Sequence, residues 1–219
     1  METRVLHQAI DRLMAGMAPG RRTMLGLAGA PGAGKSTVAA QILAALPGRA
    51  TVVPMDGFHL ANTELARLGF ADRKGAPHTF DAAGYVALLA RLRQRVPGDV
   101  VYAPEFRREI EEAVAGAIAV PPDVELVITE GNYLLLDQGH WAGVRAQLDA
   151  VWYIDVDDNL RRERLVARHV RYGRTEAQAR EWVLRSDEPN AVLVAASRAR
   201  ADVALVEAPG ELGGGHNSA

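Results

Sequence analysis

The chain has no cysteine in its 219 residues, which excludes disulfide bonds, thiolate metal sites and cysteine nucleophiles. It also lacks any apolar run near the roughly 18 residues that would cross a bilayer. The first 17 residues carry Glu2, Arg4, Asp11 and Arg12 among their apolar positions, which is not typical of a signal peptide. We therefore expect a cytoplasmic protein without membrane contact.

An excess of charge of either sign is also absent. The chain has 25 basic and 27 acidic side chains, and this balance argues against a general nucleic-acid or membrane binder. Lysine is scarce, because it occurs only at Lys35 and Lys74 and the other 23 basic residues are arginine. A GC-rich genome would explain this ratio and make the two lysines accidental. Their retention at a functional site is the alternative.

Short apolar runs alternate with segments of helical periodicity, in a length typical of one domain. The predicted strands are residues 23–28, 51–54, 125–129, 151–156 and 202–206, with 117–120 as a candidate edge strand. The predicted helices are an N-terminal one ending near Gly16, followed by 35–46, 81–95, 159–171, 175–186 and 190–200. This alternation predicts an α/β three-layer sandwich with a mostly parallel, doubly wound sheet.

The same pattern predicts a single domain over residues 1–208, with a small helical lid at about 158–175. The irregular stretches around 57–80 and 100–120 are expected to form active-site loops or a small subdomain. The tail at 209–219 is rich in glycine, cannot bury enough surface to order itself, and is predicted to be disordered.

Residues 29–36 read Gly-Ala-Pro-Gly-Ala-Gly-Lys-Ser and match G-x-x-x-x-G-K-[ST] at every fixed position. In this phosphate loop, glycines let backbone N–H groups turn toward phosphate oxygens, and the next helix points its N-terminus at the same anion. Lysine then reaches the β and γ phosphates, and the serine hydroxyl ligates Mg²⁺. A chance match is the alternative, but a strand before and a helix after favour the motif. The predicted nucleotide-binding residues are Gly29, Ala30, Pro31, Gly32, Ala33, Gly34, Lys35, Ser36 and Thr37.

Three uses of a bound triphosphate can be compared. A switch GTPase needs an N-K-x-D segment to read guanine, and neither lysine lies in one. A motor or transporter ATPase usually needs partner domains, for which 219 residues leave little room. A kinase of small metabolites fits the size, provided that the chain supplies a base and an acceptor pocket.

Two carboxylates follow predicted strands. Asp56 comes just after the second strand and Glu130 just after the strand at 125–129. Ligands of open parallel sheets bind beyond the carboxyl ends of the strands, where Asp56 could accept the proton of an acceptor hydroxyl. Glu130 could hold Mg²⁺ there, directly or through water. A turn aspartate and a helix-capping or turn glutamate are the alternatives, and position alone leaves both questions open.

Arginines and histidines give weaker signals. Arg161, Arg164 and Arg168 share one helix face, which would suit a lid that neutralises phosphate charge. A solvated charged face is the plainer interpretation of this spacing. His59 and His78 are candidates for acceptor contacts, although lone histidines are more often packed or surface residues. No histidine pair has metal-ligand spacing, so we predict no zinc site.

These elements together resemble the P-loop kinases that include uridine kinase, phosphoribulokinase and the prokaryotic type of pantothenate kinase. The chain looks most like the short bacterial proteins called nucleoside/nucleotide kinase-like or P-loop fructokinases. The resemblance covers about residues 25–206. It rests on the ordered segments GLAGAPGAGKST, VPMDGFHL, RKGAPHTFD, YAPEF, ITEGNYLLL and RRERLVAR, followed by Glu188-Pro189-Asn190-Ala191.

The resemblance implies a P-loop NTPase fold and roles for particular residues. Asp56 matches the general base, Glu130 matches the acidic residue near Mg²⁺ and the acceptor, and Arg164 and Arg168 match lid arginines that close over the phosphates. The implied catalytic group is Asp56, Lys35, Arg164 and Arg168, and the implied metal ligands are Ser36 and Glu130, directly or through water. The implied acceptor side comprises Asp56, His59, Arg73, Lys74, His78, Arg108, Glu130, Tyr133 and Asn190, with Asp81 in the same loop as Lys74.

Two positions depart from the family pattern. An aspartate is expected before the arginine that follows YAPEF, but the chain reads Arg107-Arg108. The extra cation could favour an anionic or already phosphorylated acceptor, or could simply face solvent. Before Asp187 the relatives tend to carry asparagine, and here Ser186 takes its place. Both changes concern the acceptor and leave the phosphate chemistry untouched.

The sequence therefore predicts an ATP- and Mg²⁺-dependent kinase that phosphorylates a hydroxyl of a small metabolite. A sugar such as fructose is the leading acceptor, and a nucleoside or a pantothenate-like alcohol comes next. The alternative from another class is a slow ATPase that acts as a regulator or assembly factor. The resemblance implies a homodimer, and no nucleic-acid partner is expected.

Overall fold

The computed structural model describes residues 3–18 and 20–207, so the predicted disordered tail at 209–219 lies outside the described residues. The strands are β1 (Thr23–Ala28), β2 (Ala50–Val52), β3 (Val101–Arg107), β4 (Glu112–Val120), β5 (Leu126–Gly131), β6 (Ala150–Asp155) and β7 (Val203–Val206). The α-helices are α1 (Thr3–Ala15), α2 (Lys35–Ala45), α3 (Asn62–Leu68), α4 (Ala82–Arg93), α5 (Asp158–Arg171), α6 (Glu176–Trp182) and α7 (Glu188–Ala195).

Five of these strands form one sheet in the order β2-β5-β1-β6-β7. All four pairings are parallel. From β1 at the centre the chain goes out to β2 at one edge and returns to β5, then crosses to β6 and β7 on the other side of β1. This is a doubly wound sheet, whose strand-order reversal creates a crevice at the carboxyl ends of the strands. The predicted α/β class and mostly parallel sheet are confirmed.

Helices cover the sheet on both faces. Along β1, Met24 belongs to a core cluster that includes α4, whereas Leu25 and Leu27 belong to a second cluster with α1 and α2. The central strands therefore bury both sets of side chains. This explains why they appear in the sequence as continuous apolar runs instead of alternating ones.

Residues 117–120, predicted as a candidate edge strand, do lie in a strand, but not at the edge of the main sheet. These residues end β4, which pairs antiparallel with β3 in a separate two-stranded hairpin. The hairpin lies close to the main sheet at Gly57, where a Cβ atom would come within 2.4 Å of the Pro104 carbonyl oxygen. Only glycine allows this approach, so Gly57 has a packing role beyond any turn preference.

The chain between β2 and α4 is more ordered than predicted. It contains α3 and three 3₁₀ turns at Met55–Phe58, Ala71–Arg73 and Pro77–Thr79. The helices predicted at 175–186 and 190–200 form a nearly continuous run through α6 and α7, joined by the π-helical turn Val183–Asp187. Such π turns occur often at functional sites because they displace side chains from the regular helix positions.

None of the helices in residues 3–18 and 20–207 is long and apolar enough to cross a membrane. The cytoplasmic location stays a prediction.

Arg22 ties three segments together beneath the sheet. Its side chain is 1% exposed and donates hydrogen bonds to the carbonyl oxygens of Val124 at 3.0 Å, Leu92 at 2.9 Å and Pro121 at 2.7 Å. One guanidinium thus holds the end of α4 and the return from the hairpin against the start of β1. A buried cation with all its partners in place contributes through the carbonyls that it satisfies.

We expect Arg22→Ala to lower the free energy of unfolding by about 3 kcal/mol, because it leaves three carbonyl groups without their donor. Chemical denaturation measures the change. The control is Arg91→Ala, since the exposed Arg91 guanidinium reaches only Asp99 at 3.3 Å. That control should cost less than about 0.5 kcal/mol, and an equally small loss for Arg22→Ala would contradict the assignment.

Candidate active site

The parallel register brings three strand ends together. Leu27 pairs with Glu130 and Ala28 with Gly131, so the phosphate loop after β1 lies beside the residues that end β5. β2 lies on the other side of β5, and the 3₁₀ turn that follows it carries Asp56. These segments line a cleft of about 630 Å³, and the hairpin and the α5–α7 region complete its walls.

The phosphate loop has the backbone that its glycines predict. Gly32 and Gly34 have φ angles of +81° and +91°, in the left-handed region that favours glycine. A Cβ atom on Gly32 would also lie 2.8 Å from Leu165 Cγ and 2.9 Å from the Arg161 carbonyl oxygen, because α5 packs directly on the loop. Gly34 offers no side-chain cap to α2, which leaves the first N–H groups of this helix for an anion.

Four of the nine predicted nucleotide-binding residues line the cleft directly, namely Pro31, Gly32, Lys35 and Ser36. Ala30 and Ala33 are buried, and Thr37 is exposed one position after Ser36.

Lys35 is held by the loop itself. Its Nζ donates to the carbonyl oxygens of Gly29 at 3.0 Å and Ala30 at 3.1 Å, and to Asn132 Oδ1 at 2.8 Å. Burial lowers the pKa of this ammonium to about 8, although the nearby Glu130 and Asp56 carboxylates act in the opposite direction. The Lys35 ammonium is therefore hydrogen-bonded to three neutral oxygens at the place where phosphate oxygens would bind.

The two predicted metal ligands touch each other. Ser36 Oγ donates to the Glu130 carboxylate, at 2.8 Å from Oε1 and 3.0 Å from Oε2. Burial raises the pKa of Glu130, against the effects of Lys35 and the Ser36 hydroxyl. A hydroxyl and a carboxylate are oxygen ligands of the kind that Mg²⁺ takes, so these residues fit the ion.

Asp56 does not behave as a turn or capping aspartate. Its carboxylate accepts no hydrogen bond from any described residue, and its single ion-pair contact is Arg108 Nη2 at 3.6 Å from Oδ2. A capping aspartate would instead accept backbone N–H groups. The carboxylate is about 37% exposed and faces the cleft, where it is accessible to a ligand.

His59 and Lys74 line the cleft as predicted, but each is already bonded. His59 Nδ1 lies 2.8 Å from the Asp56 carbonyl oxygen, its ring lies between two phenylalanine rings, and burial lowers its pKa. Lys74 Nζ donates to Asn62 Oδ1 at 2.5 Å and to the Glu111 carbonyl oxygen. Lys74 therefore connects the start of α3 with the hairpin.

Several residues predicted on the acceptor side do not line the cleft. Arg73 and His78 are exposed outside it, because they lie on two 3₁₀ turns on either side of the loop that carries Lys74. Asp81 caps α4 by accepting the Gly84 N–H at 2.8 Å. We therefore find no geometric support for acceptor contacts at Arg73, His78 or Asp81.

Tyr133 and Asn190 meet at one carbonyl group. Tyr133 is fully buried, and its hydroxyl donates to the Gly75 carbonyl oxygen at 2.5 Å. Asn190 Nδ2 lies 3.4 Å from the same oxygen, and Asn190 also lines the cleft. Tyr133 therefore acts on the loop next to Lys74 and has no direct access to a ligand.

The three arginines on the face of α5 have three different environments. Arg161 is 2% exposed and bonded to Asp158 at 3.0 Å and to Glu188, so the solvated-face interpretation was wrong for it. Arg164 lies near the phosphate loop but outside the cleft lining, and its guanidinium forms two 2.8 Å hydrogen bonds with Glu207. Arg168 alone lines the cleft, which limits the predicted lid at 158–175 to its C-terminal part.

Several cleft residues were missed as site residues, among them Asn132, Arg174 and Asp187. Asn132 directly follows Glu130 and Gly131, and its position after a strand was an available signal. Asp187 is 8% exposed and lies 2.8 Å from His169 Nε2, a pairing that the sequence does not indicate because a π turn produces it.

The two positions that depart from the family pattern differ in their relation to the cleft. Arg107 is exposed and bonded to Glu105 at 2.7 Å, whereas Ser186 lines the cleft.

The chain is similar to known proteins over most of its length. The chain is 35% identical over 196 residues to a protein of Schizosaccharomyces pombe provisionally named a uridine kinase, covering 84% of this chain and 83% of that one. It is 37% identical over 194 residues to the uncharacterized Escherichia coli protein YggC, covering 84% and 79% of the two chains.

A crystal structure from Silicibacter sp. TM1040, provisionally described as a fructose transport system kinase, superposes with a TM-score of 0.82 at 35% identity. The superposition covers 91% of this chain and 98% of that one. The model of the Phosphoribulokinase / Uridine kinase family matches residues 24–210, a span that includes the phosphate loop, Asp56, Glu130 and the α5–α7 wall of the cleft. The chain therefore belongs to the phosphoribulokinase/uridine kinase family of P-loop kinases.

Proposed function

We propose that the protein transfers the γ-phosphoryl group of ATP to a hydroxyl group of a small metabolite, with a sugar such as fructose as the leading acceptor. One observation carries the proposal: the Asp56 carboxylate, which has no backbone partner, shares a cleft with the phosphate loop and Lys35. The names of two relatives, a fructose transport system kinase and a uridine kinase, support a polyhydroxylated acceptor.

The nucleotide end of the cleft is set by the phosphate loop. Backbone N–H groups at the start of α2 would bind phosphate oxygens, and Lys35 would exchange its carbonyl partners for the β and γ phosphates. Arg168 lines the opposite wall with no hydrogen-bond partner among the described residues, so it can approach the transferring group. Ser36 and Glu130 would hold Mg²⁺, which neutralises charge on the phosphates when bound.

At the other end, the acceptor hydroxyl would donate a hydrogen bond to Asp56. The hydroxyl oxygen attacks the γ-phosphorus as the bond to the β–γ bridging oxygen breaks, and its proton passes to the Asp56 carboxylate. The products are ADP and the phosphorylated acceptor. His59 is already bonded through Nδ1, and burial lowers its pKa, so it serves as a neutral wall of this pocket and not as a second cation.

We expect Asp56→Asn to lower kcat by about 10²- to 10⁴-fold, because it removes the base while preserving side-chain shape. ATP affinity should stay within about threefold, since the phosphates bind at the other end of the cleft. Steady-state kinetics with nucleotide titration measures both values. Asp72→Asn is the matched control, because Asp72 is exposed and outside the cleft. A variant of Asp56 with ordinary turnover would rule out its role as base.

The acceptor class is tested by ADP release with fructose, uridine, pantothenate or no acceptor. The proposal predicts that at least one of these alcohols raises ADP release above basal hydrolysis. If no alcohol raises the rate, the result favours the alternative of a slow ATPase that acts through a protein partner.

Lys35 gives a pH prediction with a definite sign. The free protein holds this ammonium at a pKa of about 8, and a bound polyphosphate would raise that pKa by favouring the charged form. ATP affinity should therefore be full below about pH 8 and fall as the pH rises above it, with uptake of a proton on binding.

Calorimetry at about pH 8.5 in two buffers of different ionisation enthalpy measures this uptake. We expect about half a proton or more per nucleotide. Lys35→Arg, whose side chain stays charged, should abolish the uptake even if its geometry weakens binding. Binding by the unmodified protein without proton uptake would disprove the assignment.

A further inference from the structure

Three arginines line the cleft without a close ionic partner. They are Arg108 after β3, Arg168 on α5 and Arg174 before α6. None of their side chains donates a hydrogen bond to any described residue. The only ion pair among them joins Arg108 to Asp56 at 3.6 Å, which is longer than a hydrogen bond. The Arg108 side chain is about 37% exposed, and a partly desolvated cation normally has a bonded anion that offsets its loss of water.

Three of the five carboxylates that line the cleft are bonded elsewhere. Glu105 pairs with Arg107, Asp187 pairs with His169, and Glu130 accepts the Ser36 hydroxyl. Of the other two, Asp56 lies 3.6 Å from Arg108, and Glu111 forms no ion pair with a described residue. The three guanidinium groups therefore have no hydrogen-bonded anion and are available to a ligand.

Aromatic rings lie near two of the three guanidinium groups. The Arg108 guanidinium lies 5.9 Å from the Phe106 ring centroid and 6.0 Å from that of Tyr172. The Arg174 guanidinium lies 3.8 Å from the Trp182 ring centroid. The Arg174 distance is that of a direct contact with the ring, whereas the Arg108 distances lie at the outer limit of a cation–π interaction. The N–H groups of both side chains have no hydrogen-bond partner among the described residues and can bind a carboxylate or phosphate group.

The nucleotide does not account for all three arginines. The loop amides and Lys35 are available to bind its phosphates. Of the three arginines, Arg168 lies on α5, the helix that packs on the phosphate loop, and is therefore placed to bind them as well. Arg108 instead contacts Asp56, the carboxylate proposed to receive the acceptor hydroxyl. Burial and the neighbouring Arg108 both lower the pKa of Arg168, so the two cations repel each other until an anion separates them.

We propose that the acceptor carries an anionic group, a carboxylate or a phosphate monoester, which Arg108 and Arg174 bind while its hydroxyl meets Asp56. This proposal rests on the proposed kinase function and deepens it. The acceptor is then a sugar acid or sugar phosphate, and a neutral sugar such as fructose is a weaker substrate. Binding of the anion also draws Arg108 away from the Asp56 oxygens, which frees them for the hydroxyl.

Matched acceptor pairs test this directly. Coupled ADP release is measured for fructose against fructose 6-phosphate and for glycerol against glycerate, so that the two pairs separate phosphate from carboxylate. We expect kcat/KM for at least one anionic member to exceed that of its neutral partner by about 10-fold or more, as loss of a charge-assisted contact would cost.

Arginine variants test whether Arg108 and Arg174 bind the anionic group of the acceptor. Arg108→Gln and Arg174→Gln should each raise KM for the preferred anionic acceptor by about 10- to 100-fold, with KM for ATP within about twofold. The matched controls are Arg107→Gln and Arg185→Gln, which should change neither constant. Arg107 is exposed beside Arg108, and Arg185 is exposed and lies 5.3 Å from the same Trp182 ring without lining the cleft.

Three other results would overturn the proposal, and they can be told apart from one another. Equal use of neutral and anionic partners removes the anion subsite but leaves the kinase function intact. A fall in kcat for both members with unchanged KM would assign Arg108 to the transferring phosphoryl group. Absence of any acceptor-stimulated ADP release would overturn the proposed function as well. Arg108→Lys keeps the charge, and normal ATP affinity in each variant shows that it is folded.

Discussion

The pairing of β1 with β5 is the constraint on which the rest of the site depends. Its register places Ala28 beside Gly131, so the phosphate loop and the Glu130–Asn132 segment leave the sheet together. Lys35 can then reach back to two loop carbonyls and to Asn132 at once. A slip of one residue would turn the alternate side chains of β5 to the opposite face, and burial on both faces opposes that slip.

The groups proposed to bind ligands are paired with one another in this structure. Lys35 rests on carbonyl oxygens, the Ser36 hydroxyl rests on Glu130, and Arg108 lies next to Asp56. The carbonyl oxygens bound to Lys35 lie where phosphate oxygens would bind, and the Ser36–Glu130 hydrogen bond joins the two residues that would hold Mg²⁺. Nucleotide and Mg²⁺ would each take over an existing interaction. Arg108, Arg168 and Arg174 are the exceptions, because their guanidinium groups donate no hydrogen bond to a described residue and the nearest ion-pair contact is 3.6 Å from Arg108 to Asp56.

Much of the fold and the nucleotide end could be predicted from the sequence, since both depend on local patterns. Apolar runs predicted the five strands of the main sheet within a residue or two, but not the hairpin strand β3 or the first part of β4. The phosphate loop followed from its motif, and Asp56 and Glu130 followed from their positions next to strand ends. The rest depends on contacts between distant segments. Arg164 donates hydrogen bonds to Glu207, which lies 43 residues further along the chain. The Tyr133 hydroxyl donates to the carbonyl oxygen of Gly75, 58 residues before it. Neither partner is visible in a spacing pattern.

The central claim is that phosphate oxygens take over the interactions that Lys35 and Ser36 now make inside the protein. A crystal structure with Mg²⁺ and a non-hydrolysable ATP analogue tests it most directly. The account predicts that Lys35 Nζ leaves Gly29 and Ala30 for the phosphates, and that Mg²⁺ separates Ser36 from Glu130. If Lys35 and the Ser36–Glu130 pair kept their present hydrogen bonds with nucleotide bound elsewhere, the account would be contradicted.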